Sequence, residues 1–86
     1  MTELPILISH HALMQMRERG VDEAEVVAAI RAGQPEPARK GRTLHRKNFQ
    51  FDGLWRGRPY HVKQVAPVVV AEPDRLVVVT VYAFYF

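Results

Sequence analysis

Residues 76–86 read Leu-Val-Val-Val-Thr-Val-Tyr-Ala-Phe-Tyr-Phe. Valine and aromatic residues are strand formers, so this is the clearest strand of the chain. Side chains alternate across a strand. Val77, Val79, Val81 and Ala83 would therefore make one wholly apolar face. Leu76, Val78, Thr80, Tyr82 and Phe84 would make another that turns polar at its centre. One face asks for a covering layer and the other leaves a surface open to solvent or ligand.

The covering layer is written upstream. Ser9 is a good N-cap for a helix over about His10 to Arg19, with Gly20 at its C′ position. Asp22, with Glu25 three residues on, forms a capping box for a second helix that stops at Gly33, with Pro35 behind it. Ala12, Leu13 and Met16 stripe the first helix, and Val26, Val27 and Ile30 the second. Further strands are expected at 36–40, 43–51 and 59–71. Asp52-Gly53 and Glu72-Pro73-Asp74 read as turns, and Pro67 as an edge or bulge. The expectation is an α+β fold of order α-α-β-β-β-β. A helical hairpin lies on one face of a three- to four-stranded antiparallel sheet, in one domain spanning 1–86.

Composition narrows the function. The 86 residues are 48% hydrophobic and 24% charged, as in ordinary globular chains. There is no cysteine, hence no disulfide or thiolate site, which fits a reducing cytoplasm. No apolar run approaches a membrane span, and Met1 to Ile8 lacks the basic start of a signal peptide. Residues 1–33 carry a net charge of −2 and residues 34–86 a net charge of +5. A cationic half on a small domain suggests a polyanionic partner such as RNA.

Three i, i+2 pairs carry chemically capable side chains: His45 with Lys47, His61 with Lys63, and Thr80 with Tyr82. Metal-free RNA cleavage uses the 2′-hydroxyl as nucleophile. It needs a base, an acid, and cations or donors for the charge on phosphorus. In one scheme His61 or His11 is the base and His45 the acid, while Lys47, Lys63 and Thr80 stabilise the phosphorane. Trp55 and Tyr60 flank Arg56 and Arg58, so that hairpin could stack a base, and Arg42 and Arg46 add phosphate contacts. Each residue also has a plainer reading as solvated strand surface. No metal or other cofactor is expected, because His10 and His11 point to different helix faces and no carboxylate completes a ligand set.

The segment His11-Ala12, Met16, Arg19-Gly20-Val21 and the acidic start of the second helix resembles the opening of a family of small bacterial domains. That family is placed near the RelE-like toxins, within the barnase–EndoU–colicin–RelE group of ribonucleases. Val77-Val78-Val79-Thr80-Val81-Tyr82 resembles the group's closing strand. The resemblance implies a helix-borne catalytic His11, a phosphate-binding or structural Arg19, and Thr80 as a site residue. It also implies an RNA substrate, on the ribosome in some members, and an acidic antitoxin or immunity protein as partner. Two other readings stand beside it. One is a non-catalytic RNA-binding module. The other is an interaction domain that forms a homodimer through its last strand.

Overall fold

The computed structural model describes residues 3–86. Strand β1 (Ile6–Ile8) leads into helices α1 (His10–Arg19) and α2 (Glu23–Ala32). Strands β2 (Gln34–Pro37), β3 (Thr43–Trp55), β4 (Arg58–Ala71) and β5 (Leu76–Tyr85) follow. One five-stranded sheet results, in the order β1-β5-β4-β3-β2. Two helices on one face of a sheet is the α+β architecture expected from the sequence.

The helix ends are fixed as their residues dictate. The Ser9 side chain accepts from the Ala12 N–H at 3.1 Å. Asp22 and Glu25 close both bonds of the capping box, at 2.8 and 3.0 Å. Gly20 ends α1 at φ +70, and a Cβ there would meet the Trp55 ring at 2.5 Å. Both the backbone sign and the close ring thus demand glycine. The core lies between α1, α2 and the sheet. It gathers Ala12, Met16, Val21, Val26, Ala29 and Ile30 with Val65, Val69, Val78 and Val81.

Several expectations are corrected. β1 is an additional strand, and it pairs parallel with β5, so the sheet is mixed rather than purely antiparallel. β2 covers 34–37 instead of 36–40, because Arg39–Gly41 turns as a short 3-10 helix. Asp52-Gly53 is not the hairpin turn. β3 runs through it on an irregularity of register and turns beyond Trp55, where Arg56 and Gly57 take positive φ. β5 also carries a bulge. Val68 pairs Thr80 while Val69 pairs Val78, so Val79 is an extra residue. Beyond the bulge the alternation is as read, with Val81 in the core and Thr80 and Tyr82 on the open face. Before it the parity flips, so Val78 and Leu76 face the helices and the places expected for Val77 and Val79 are lost.

Pro67 sits fully buried in the central strand β4. It pairs Val81, whose N–H and C=O point away from β4, toward the edge of β5 beyond β1. Two residues of α1 satisfy them. Gln15 Oε1 accepts from the Val81 N–H at 2.9 Å, and Arg19 donates to the Val81 carbonyl at 2.6 Å. A helix thus closes what would otherwise be a free strand edge.

Candidate functional site on the open face

The open face of the sheet is built in rows across strands. Leu44, Val68 and Thr80 form one row; Asn48, Gln64 and Phe84 form another. Between them, by the same register, lie Arg46, Ala66 and Tyr82. Ala66 is small, which lets the longer side chains on either side lean over the centre. Arg46 lies 5.8 Å from the Phe84 ring, and Tyr82 and Phe84 stack at 6.4 Å. Arg19 reaches round the edge of β5 to lie 5.5 Å from the Tyr82 ring. Both rings are substantially exposed, Tyr82 at 41% and Phe84 at 45%.

The upper end of this face is a hollow of about 460 Å³ lined by Pro37, Ala38, Arg39, Arg42, Leu44, Val68, Thr80 and Tyr82. The turn at 39–41 carries Arg39 to its rim. Its floor is strand side chains from β3, β4 and β5. Among the described ion pairs none uses Arg39, Arg42 or Arg19. Two guanidinium groups, a hydroxyl and a phenol facing one concavity suit a phosphate group.

Several residues expected at one site are placed elsewhere. His45 and Lys47 share the face of Phe49, which packs on the core, and Lys47 Nζ lies 5.5 Å from that ring. His45 is half-buried, and burial lowers its pKa from 6.5. Lys63 is buried on the helix side, donating to the Gly20 carbonyl and pairing Glu25 Oε2, each at 2.8 Å. It ties the helical hairpin to the sheet and has no free charge to offer a phosphate. Trp55 stacks on Tyr85 at 4.7 Å and 11°, while the Tyr85 hydroxyl donates to the Arg19 carbonyl at 2.6 Å. Arg56 lies over Trp55 and donates to the Glu18 carbonyl. This end of the hairpin is therefore a clasp on the end of α1 rather than a base-stacking platform. Arg58 is exposed beside it.

His61 is almost fully exposed, at 91% of its side chain. Its Nδ1 is 3.0 Å from Asp52 Oδ1, and Asp52 Oδ2 accepts from Gln50 at 2.6 Å. The Gln50 hydrogen bond, and then the His61 one, lower the Asp52 pKa. The sequence marks Asp52 only as a turn residue. His61 stands seven residues from Val68 along β4, roughly 23 Å at strand rise, so it does not meet Thr80. His11 is exposed on α1, four residues before Gln15 and eight before Arg19, on the helix side that runs along the β5 edge. Of the expected catalytic set, Thr80 and Tyr82 are brought together, with Arg19 beside them and Arg42 in the same hollow. Arg39 is a site residue that the sequence pattern does not single out. Its one signal is the Pro-rich entry to a basic turn at 35–42.

The model of the family described as a domain of unknown function, DUF4258, matches residues 8–83, and the chain belongs to that family. No curated protein matches the chain. No solved structure matches it either.

Proposed function

We propose that this DUF4258 domain is a toxin-type ribonuclease that works on the open face of its sheet, without a metal cofactor. The observation that carries the reading is the hollow in which Arg39, Arg42, Thr80 and Tyr82 converge. In this scheme the arginines and the Thr80 hydroxyl hold a phosphodiester and take up charge as the neighbouring 2′-hydroxyl attacks phosphorus. The new bond is P–O2′ and the broken one is P–O5′. The 2′-hydroxyl proton leaves to water, and the Tyr82 phenol protonates the departing O5′. Exposed Tyr82 and Phe84 give the flanking bases an aromatic surface. The resemblance to RelE-like toxins supports a cytoplasmic substrate, RNA free or on the ribosome, and an acidic antitoxin or immunity protein that silences the domain. No helix among the described residues is long and apolar enough to cross a membrane.

The test is cleavage of a fluorescent RNA in the presence of chelator, beside a matched substrate whose 2′-hydroxyls are removed. The RNA should be cut and the deoxy substrate spared. Tyr82→Phe keeps the ring and removes the acid, so it should cost on the order of 10²–10⁴ in rate with binding retained. Wild-type turnover by Tyr82→Phe would sink the assignment of the acid. A second reading is an RNA-binding module on the same face, favoured by one observation: among the described residues no histidine lines the hollow. Tight RNA binding with no product would select it.

A further inference from the structure

We infer that Asn48, Gln64 and Phe84 form a base-reading subsite that selects keto bases, uracil and guanine, over amino bases, cytosine and adenine. It rests on the proposal that RNA lies on the open face.

The subsite is the end of a polarised chain of hydrogen bonds. Arg46 donates to both carboxylate oxygens of Glu36 at 3.2 Å and, through its Nη1, to Gln64 Oε1 at 2.9 Å. Gln64 Nε2 then donates to Asn48 Oδ1 at 2.8 Å. The orientation of both amides is forced, because a guanidinium has donors only. Once Arg46 takes the Gln64 oxygen, Gln64 must present its nitrogen, and Asn48 must present its oxygen to Gln64. Asn48 is exposed, and with its oxygen turned toward Gln64 it turns its amide N–H groups outward, toward a ligand. The chain ends in donors.

Phe84 pairs with Gln64 in the sheet register, so its exposed ring lies beside the chain. A base laid on that ring would turn an edge toward Asn48. Uracil offers a carbonyl at O4, and guanine offers O6 and N7. Cytosine offers its N4 amine there and adenine its N6 amine beside N7, and either amine meets another donor. A site that turns donors outward disfavours such an edge, because the amine finds no acceptor facing it and the hydrogen bond made by a carbonyl is lost.

The experiment uses fluorescein-labelled 2′-O-methyl hexamers of uridine and cytidine, which the protein cannot cleave, with affinity read by fluorescence anisotropy. Uridine should bind about fivefold tighter, the worth of one net hydrogen bond. Asn48→Ala should bring the ratio to about one. Gln64→Glu should reverse it. A carboxylate accepts from Arg46 and from the Asn48 N–H together, which turns the Asn48 oxygen outward toward the cytosine amine. Equal affinity in the wild type would overturn the inference while leaving RNA binding on this face intact. A ratio unchanged in Asn48→Ala or in Gln64→Glu would also overturn it. Failure to bind either hexamer would overturn it together with the RNA reading of the open face.

Discussion

Lys63 shows how one residue's role depends on which face its strand presents. Its charge is nearly out of water, held by Glu25, the Gly20 carbonyl and the ring of Phe51 at 5.8 Å. Removing one partner of such a pair leaves the other charge buried. Lys63→Ala should therefore cost roughly 3–5 kcal/mol of stability, read as a lower urea midpoint. A midpoint within error of wild type would mean the pair is solvated. His45 makes a pH prediction. Burial holds its folded pKa below 6.5, so the unfolded chain binds more protons as pH falls through that value. Stability from this residue is full above pH 6.5 and declines below it, and His45→Gln should flatten the decline. An unchanged slope in His45→Gln would show that other groups set it. The face of both residues was legible in one respect. Asn48-Phe49-Gln50-Phe51 alternates cleanly, which places His45 and Lys47 with the phenylalanines. Likewise Lys63 continues into Val65 and Val69, both core residues. Alternation within a strand shows which residues share a face, but only register across strands shows which face is covered.

At the scale of elements, both helices were legible because their caps are local chemistry, Ser9 and the Asp22–Glu25 box. β1 was not, because three residues carry too little pattern and their partner lies some seventy positions away. The bulge in β5 was hidden for a related reason. A run of three valines reads the same on either face, so nothing local marks Val79 as the extra residue. Its position makes a prediction. With Val79 deleted, Thr80 still pairs Val68 and Val78 still pairs Val69, so every core side chain keeps its face. The protein should melt cooperatively, and the loss should appear in RNA binding, because a bulge bends its strand and this one directly precedes Thr80, which lines the hollow. Deleting Val81 is different. It would turn Tyr82 and Phe84 toward the helices, and no cooperative melt is expected. Similar circular dichroism melts for both deletions would show that β5 can slip its register.

The whole molecule is elongated, 42 Å by 24 Å by 23 Å, and its long β3–β4 hairpin separates two polar ends. The His61–Asp52 pair stands at one end of β4, and the Arg39–Arg42 hollow at the other. The helical layer covers one broad face and neutralises Lys63 on it. A net charge of +3 is too small to steer RNA from a distance through physiological salt, where charges are screened within about 8 Å. Local arginines must then decide which surface RNA touches. Arg19, Arg39 and Arg42 gather at the open face and the adjoining edge of β5, whereas Lys47 belongs to the covered face and Arg58 to the hairpin end. Substituting Arg39 and Arg42 together with Ala should weaken binding of single-stranded RNA and shallow the plot of log affinity against log salt. The slope should change by about 0.7 for each phosphate that the variant no longer neutralises. Lys47→Ala and Arg58→Ala should leave that slope at its wild-type value. If they shallow it as much as the double arginine variant does, RNA runs along the helical side or the hairpin end, and the open face is not its seat.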